Sequence, residues 1–340
     1  MGADSQQDVR VAREARDGRG TGVRPAVPRR QLLAAAAAVP ALVGTAGPAV
    51  ATDQGHAAEA ATPVPTTDAD WTAVARALGR TGEMVRGLQY HVAFPRSDLR
   101  VVSHGVAVTP GLALGSHVSF VRYSDGTTML MGDLVVAESE LQRVSDVLQA
   151  RGIAQTAIHK HLLAQTPDVW WTHVCAHGTD AVAIARDLRA ALDRTATPPP
   201  RPTLPAEPLD LDTAGIDAAL GTKGVSNGEV YTCLFLRRET VTNDGHPLPP
   251  GLGATAAFNF QPLGGGRAAL NGDLVMVADE VQKALTALRR GGIDLVELHN
   301  HGLTDEPRLF FTHVWAVDDA VRLAKALRPA VAATNVKPGP

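Results

Sequence analysis

Histidine is the residue type in this chain whose spacing suggests chemistry. The stretches IHKHLLAQTPDVWWTHV, from residue 158 to 174, and LHNHGLTDEPRLFFTHV, from 298 to 314, are similar and lie 140 positions apart. Each carries three histidines in register, so six of the 12 histidines occupy equivalent positions: His159, His161, His173, His299, His301 and His313. Three imidazoles and an open position for water make the ligand set of a catalytic zinc site.

The motif predicts a divalent transition-metal site in each half of the chain, of the type found in zinc hydrolases and lyases. Imidazole also binds copper, iron and nickel, so zinc is the first choice among several metals. Without a metal, the same histidines would be core or packing residues and the protein would need no cofactor. A lone histidine on an apolar strand favours that second interpretation, whereas retention of the same three positions in both copies favours the metal.

A β-hairpin would bring the three histidines of one copy together. His159 and His161 are two residues apart, so their side chains leave the same face of a strand. Pro167 lies halfway between His161 and His173, and Pro307 lies halfway between the equivalent pair. A hairpin that closes symmetrically at the proline places His173 directly opposite His161, with Cβ atoms about 5 Å apart. A slip of one residue would turn His173 to the other face.

Carboxylates in a repeated Gly-Asp pair are the candidate catalytic groups. Asp133 and Asp273 each lie inside an apolar run, where a carboxylate can act as a general base, a fourth ligand or a partner of a histidine. A carboxylate at a bulge or turn is the alternative. Glu140 and Glu280 also match between the copies, and both fall in the first turn of a predicted helix, where they complement the helix dipole.

Arg96 and Asp98, in the segment PRSDL, form a further candidate site. Together they can hold an anionic small-molecule ligand, or they can form an ion pair with each other. The second copy has LRRET at residues 236–240, so the pairing is not preserved there in detail.

The matching segments extend beyond the histidines and reveal an internal duplication. TPGLALGSHVSF from Thr109 matches PPGLGATAAFNF from Pro249, and LMGDLVVAESELQ from Leu130 matches LNGDLVMVADEVQ from Leu270. Strands and helices mix in each copy without strict alternation, which predicts two tandem α+β units, each a mixed or antiparallel sheet with helices. We divide the chain into a polar extension and signal (1–52), a linker (53–70), unit 1 (71–194), a Pro-rich linker (195–210), unit 2 (211–331) and a tail (332–340). The units are expected to pack on each other.

Within unit 1 we expect a short helix at 71–78 and strands at 84–94, 99–108, 115–123 and 127–136. A helix at 138–150, strands at 153–163 and 168–176 and a helix at 180–192 follow. Leu141, Val144 and Leu148 form the apolar stripe of the middle helix, and Gly152 ends it.

Composition excludes several classes of function. A net charge of −3, a pI near 6.5 and 4% aromatic residues argue against nucleic-acid binding. Cys175 and Cys233 form no metal or disulfide framework, although they can pair if the fold brings them together.

The N-terminus has the features of a twin-arginine export signal. Arg29 and Arg30 precede an apolar run from Leu32 to Val43, and the small residues Ala49–Ala51 follow. The run is too short for a permanent membrane span, so we expect an exported protein with no integral span in its mature form.

The segments FPRSDLRV, MGDLVV, IHKHLL and LHNH…EPRLFFTH, together with the duplication and the signal, resemble the LppY/LpqO family of bacterial envelope proteins. The resemblance covers about residues 71–330 and implies export and duplication, but that family has no established activity. Its members are often lipoproteins, and the absence of an acylated cysteine here argues against a lipid anchor. Two functions remain open: a metalloprotein, or a non-catalytic envelope protein that binds a small ligand.

Overall fold

The computed structural model describes residues 61–201 and 208–339. The signal segment at 28–51, residues 53–60 of the first linker and part of the Pro-rich linker lie outside the described residues. The first repeat opens with a 3-10 helix, Asp68–Trp71, and continues through α1 (Thr72–Leu78), β1 (Glu83–Val85), β2 (Gln89–Pro95), β3 (Val102–Ser103), β4 (Val106–Ala107), β5 (Gly115–Arg122), β6 (Thr128–Ala137), α2 (Glu138–Ala150), β7 (Ala154–His159), β8 (Gln165–Thr166), β9 (Val169–Gly178) and α3 (Ala181–Leu192).

The second repeat follows the same order, except that it has no counterpart of the opening 3-10 helix or of β8 and has one strand added at its end. Its elements are α4 (Thr213–Leu220), β10 (Val225–Ser226), β11 (Tyr231–Arg237), β12 (Thr242–Asn243), β13 (His246–Pro247), β14 (Thr255–Gly264), β15 (Arg267–Met276), α5 (Ala278–Arg290), β16 (Asp294–His299), β17 (Phe310–Asp319), α6 (Ala320–Ala332) and β18 (Val336–Pro338). Of the helices described, none is long and apolar enough to cross a membrane.

Each repeat forms one antiparallel sheet with its helices. The strand order is β1-β2-β5-β6-β9-β7 in the first sheet and β10-β11-β14-β15-β17-β16 in the second, where β18 also pairs with β11. The two short hairpins β3-β4 and β12-β13 lie outside these sheets. The prediction of two tandem α+β units is therefore confirmed.

Three predicted strands are shorter than expected. The strand expected at 84–94 is a hairpin, because Arg86 and Gly87 take positive φ values of 53° and 66° and reverse the chain between β1 and β2. The strand expected at 99–108 is the small β3-β4 hairpin, which turns at His104 and Gly105. The strand expected at 153–163 ends at His159, where the chain leaves the sheet.

Side chains on β6 and β9 alternate between two faces of the first sheet. Leu130, Leu134 and Val174 belong to the apolar core that includes residues of α2 and α3. Asp133 and His173 have the opposite parity and point to the other face. The second sheet repeats this alternation, so each sheet has a helix-covered face and a face that carries the candidate site.

The two repeats contact each other. One apolar cluster contains Trp171 from the first repeat with Val230 and Ala269 from the second. The Tyr123 hydroxyl donates to the carbonyl of Pro247 over 3.0 Å. Because the contacts form on the faces without helices, they bring the two candidate sites together.

A buried arginine ties each sheet to its central helix. Arg96 has no exposed surface, and it donates to both carboxylate oxygens of Glu140, to Asp98 and to the Val135 carbonyl. Glu140 also accepts from the amide of Ala137 and so caps α2. All N–H donors of Arg96 are therefore used within the protein. The structure favours the ion-pair interpretation of Arg96 and Asp98 over an anion site.

The second repeat contains an equivalent network, in which Arg237 binds Glu239 and Glu280. The sequence comparison missed it because the equivalent arginine lies 141, not 140, positions further along the chain. Glu280 also accepts from the amide of Val277 at the start of α5, as Glu140 does in α2. Both glutamates have structural roles.

The Arg96→Ala substitution should lower the free energy of unfolding by about 3–5 kcal/mol, because Glu140 would remain buried without its partner. Urea unfolding followed by circular dichroism measures the change. Arg151→Ala is the control, since Arg151 is 53% exposed in its ion pair with Asp187 and its removal should cost at most about 1 kcal/mol. Similar small losses for both variants would contradict the structural role of Arg96.

Candidate functional site

The hairpin that carries the first histidine motif has a register different from the predicted one. His173 pairs with Ala157, and His159 pairs with Trp171, so the prediction that His173 lies opposite His161 is wrong by four residues. The chain does not turn tightly at Pro167, because β8 leaves this sheet and pairs with β3 instead. A shift of four residues preserves parity, so the side chains of β7 and β9 that were predicted to share a face still share it.

The six histidines form one cluster between the repeats. The ring centroids of His159 and His299 are 4.1 Å apart, and those of His161 and His313 are 3.7 Å apart. His173 and His301 are equally close, at 4.0 Å. These contacts all join one repeat to the other. The six histidines therefore form one cluster at the junction of the repeats and not two clusters apart from each other.

Two main-chain segments of one repeat are held by side chains of the other. Asn271, which precedes the second Gly-Asp pair, donates to the His161 carbonyl over 2.6 Å. Asn300 donates to the Thr156 carbonyl over 2.9 Å. These contacts hold β7 and the residues that follow it against β15 and the residue that follows β16.

The aspartates of the two Gly-Asp pairs also reach the cluster. Asp133 pairs directly with His173 across β6 and β9, and its Oδ2 lies 3.1 Å from His161 Nε2. Asp273 Oδ2 lies 3.0 Å from His301 Nε2. Asp133 is in a regular strand, so the alternative of a bulge or turn carboxylate is wrong.

The glycine of each pair is required by close approach of the neighbouring strand. A Cβ at Gly132 would lie 2.3 Å from the His117 carbonyl oxygen, and a Cβ at Gly272 would lie 2.6 Å from the Phe258 ring. Glycine therefore lets the sheet close tightly at the position before the aspartate.

Many polar atoms of the cluster are buried without a hydrogen-bond partner. His173 and His313 each place Nδ1 near a main-chain carbonyl, at 3.4 and 3.2 Å, which leaves Nε2 free to face the cluster. The buried atoms without a partner include His173 Nε2, His313 Nε2, His159 Nδ1, both ring nitrogens of His299 and the Oδ1 atoms of Asp133 and Asp273. Buried polar groups are normally paired, so such a concentration of unpaired ligand atoms is unusual.

Burial shifts the pKa values of these groups towards their neutral forms. Desolvation, reinforced by the neighbouring imidazoles, lowers the pKa of His299 to about 2 and that of His301 to about 3. The same causes depress the pKa values of the other four histidines well below the ordinary range. Desolvation raises the pKa values of Asp133 and Asp273. Neutral imidazole is the form that binds metal ions.

Three sets of ligand atoms lie close enough together to share one ion, with all atoms of a set within 4.8 Å of one another. The sets are His159, His299 and His313; His173, His299 and His301; and Asp133, His159 and His161. Two of the three combine residues from both repeats. The donor types, imidazole with carboxylate, suit zinc and related transition metals.

An open cleft of about 540 Å³ leads to the cluster. His117, which pairs with Asp133 across β5 and β6, lies on its wall together with His91 and Ser119. The sequence comparison passed over His91 and His117 because the second repeat has no histidine at those positions. His117 lies on the strand that pairs with the strand of the first Gly-Asp pair. Pairing of these two strands was the signal that could have identified it.

The two cysteines are free thiols, so the pairing considered from the sequence does not occur. Cys233 is buried in the core of the second repeat. Cys175 lies with its Sγ 3.7 Å from Asn243 Oδ1.

Comparison with known proteins identifies the family. A family model described as a Domain of Unknown Function (DUF1259) matches residues 72–194 and again residues 214–333. The chain belongs to the DUF1259 family. Among curated proteins, nothing matches this DUF1259 chain.

Two solved structures are weakly similar to this DUF1259 protein. One is the double ringed trimeric shell protein MSM0271 from the RMM microcompartment, with 14% identity over 59% of this chain and 79% of that one. The other is the trimeric bacterial microcompartment shell protein PduB, with 9% identity over 72% of this chain and 86% of that one. Both have a TM-score of 0.17, which is too low to indicate a shared fold.

The metal-free protein should lose stability as the pH falls from about 7.5 to about 5.5. The histidines of the cluster are neutral when folded and have pKa values near 6.5 when unfolded, so the unfolded state binds more protons over this range. Each such histidine contributes up to about 1.4 kcal/mol per pH unit. Asp133 and Asp273, with raised pKa values, act in the opposite direction but are fewer.

Urea unfolding of the metal-free protein at the two pH values measures this slope. The His159→Gln/His299→Gln double variant should have a smaller slope, because two titrating groups are gone. Equal stability at both pH values, or greater stability at the lower one, would contradict the burial of neutral histidines.

Proposed function

We propose that this DUF1259 protein is a metalloprotein whose histidine cluster binds divalent transition-metal ions, zinc above all. The observation that carries the proposal is the convergence of six imidazoles and two carboxylates with buried, unpartnered ligand atoms. Desolvation of that many polar groups opposes folding unless they gain a partner. A bound cation satisfies the nitrogens and carboxylate oxygens at the same time.

Core packing explains the cluster less well. Histidines that only pack in a core normally pair their ring nitrogens with protein groups. Here both ring nitrogens of His299 lack a partner, and the stacked rings of His159 and His299 lie at the junction of the two repeats. A structural role would be served better by apolar side chains of similar size.

The distances favour two ion sites that exchange a histidine between the repeats. The first site takes Asp133, His159 and His161 from the first repeat and His313 from the second. The second takes Asp273, His299 and His301 from the second repeat and His173 from the first. This division obeys the pseudo-symmetry of the duplication, and each buried carboxylate then has a cation beside it.

This division assigns roles to the chain's own residues. Asp133 and Asp273, expected from the sequence to be catalytic, serve as ligands because both are largely removed from solvent and lie beside His161 and His301. The Gly132 and Gly272 carbonyls orient the rings of His173 and His313. A zinc ion held in this way supplies Lewis-acid chemistry when it is bound.

Metal counting in paired variants tests both the site and its division. After dialysis against a weak chelator, a site that lacks one ligand should lose its ion. The wild type should then hold about two ions per chain, and His161→Ala, His313→Ala and His173→Ala about one each. The double variant His161→Ala/His313→Ala should still hold about one, since both residues serve the same site, whereas His161→Ala/His173→Ala should hold about none.

The opposite result for the two double variants would show that each repeat uses its own three histidines. No metal in the wild type, even after reloading, would contradict the proposed function and favour a binding protein without a cofactor. His177→Ala is the matched control, because His177 is an exposed histidine outside the cluster. Circular dichroism confirms that each variant is folded.

We also infer that the protein is exported and is related to the LppY/LpqO family. The twin arginines Arg29 and Arg30, the apolar run and the small residues Ala49–Ala51 support export. N-terminal sequencing of the mature protein tests this, since cleavage should follow Ala51. A mature protein that keeps Arg29 and Arg30 would contradict it.

A further inference from the structure

The cleft beside the histidine cluster reaches only part of it. Its lining includes His161, His173, His301 and His313 with both aspartates, whereas His159 and His299 do not line it. A volume of about 540 Å³ is in the range of sites that bind small organic molecules. The proposed ions would therefore lie at the inner end of a cleft open to such a molecule.

The two repeats give the cleft different walls. In the first repeat, His117 pairs with Asp133 and His91 pairs with Ser119. At the equivalent positions of the second repeat, Ala257 pairs with Asp273 and Thr232 pairs with Asn259. The imidazoles of His91 and His117 thus have no counterpart across the duplication. The two walls of the cleft therefore differ, although the proposed metal ligands occupy equivalent positions in the two repeats.

Hydrogen-bond donors and apolar groups occupy different parts of the lining. His91, His117, Ser119 and Asn259 supply hydrogen-bonding groups close to the aspartate strands. Apolar side chains line the remainder: Val85, Leu112, Met131, Leu234, Leu236 and Leu252. A ligand that fits both parts has a polar head and an apolar body.

Charge favours an anionic head. This step rests on the proposed function, because two divalent ions with two carboxylates and neutral histidines leave a net charge of about +2 at the inner end. A phosphate group would be expected to meet an arginine fork or a lysine. Among the described lining residues Arg86 is the basic side chain, and its Nη1 already donates to the Pro250 carbonyl over 2.6 Å.

We propose that the cleft binds a carboxylate with an aliphatic chain. The carboxylate lies at the metal end, where His117 donates a hydrogen bond to it in place of its contact with the Gly115 carbonyl, which lies 3.3 Å from Nδ1. The chain lies against Leu234 and its apolar neighbours. His117 is in this account a specificity-determining residue of one repeat, which the duplicated motif did not reveal.

Calorimetric titration of the zinc-loaded full chain with acetate, butyrate, hexanoate and octanoate tests the proposal. Affinity should rise about three- to fourfold for each added methylene that is buried. His117→Ala should weaken every carboxylate about tenfold through the lost hydrogen bond. Leu234→Ser should weaken octanoate but not acetate. His177→Ala should change neither, and metal analysis should show the wild-type content in all three variants.

Several results would overturn the proposal. They are the absence of carboxylate binding to fully metal-loaded protein, equal affinities for acetate and octanoate, and tighter binding of inorganic phosphate than of octanoate. In each of these cases the proposed metal function would stand, because metal content is measured separately. Failure of the wild type to bind metal would instead remove the proposed function and this inference together.

Discussion

Desolvation of the histidine cluster is the constraint on which the rest of the structure depends. Six imidazoles and two carboxylates lie between the repeats, and several of their ligand atoms have no partner in the protein. A charge or an unpaired polar group in such a place is costly. The pKa shifts of the cluster express the same cost, since burial drives histidine and aspartate alike towards the neutral form. The proposed cation would give these atoms a partner and so offset the cost of burying them.

The architecture positions the cluster through two devices. Each sheet buries one face under its own helices, and the other face carries the aspartate and the strand histidine. Buried arginines, Arg96 and Arg237, attach the central helix to its sheet and so hold these faces in place. Contacts such as the one from Asn271 to the His161 carbonyl then lock one repeat against the other. The duplication thereby brings histidines of both repeats into one cluster.

Local patterns in the sequence predicted the helices and the duplication. They did not predict the contacts between residues that are distant in the chain. The stripe Leu141, Val144 and Leu148 predicted α2, and the duplication predicted two α+β units. His159 and His161 could be recognised as one motif from their two-residue spacing, because that spacing is a local property of the chain. The pairing of His173 with Ala157 depends on β8 leaving the sheet for β3, a tertiary contact with no local sequence signal.

The contacts between histidines of different repeats were equally hidden, because two copies of a motif do not indicate which of their histidines lie together. His117 was missed for a different reason. Comparison of the copies selects residues that are present in both, and the second repeat has no histidine at the equivalent position. Arg96 was visible in the sequence, but its partner Glu140 lies 44 residues away, so the buried network could be assigned only from the structure.

Anomalous diffraction from crystals of the metal-loaded protein, collected on both sides of the absorption edge of zinc, tests the central claim most directly. The account predicts about two anomalous peaks between the repeats, one beside Asp133, His161 and His313 and the other beside Asp273, His301 and His173. Peaks that are each surrounded by the histidines of a single repeat would contradict the exchange. The absence of any peak at the cluster, in crystals that hold zinc elsewhere, would contradict the metal centre itself.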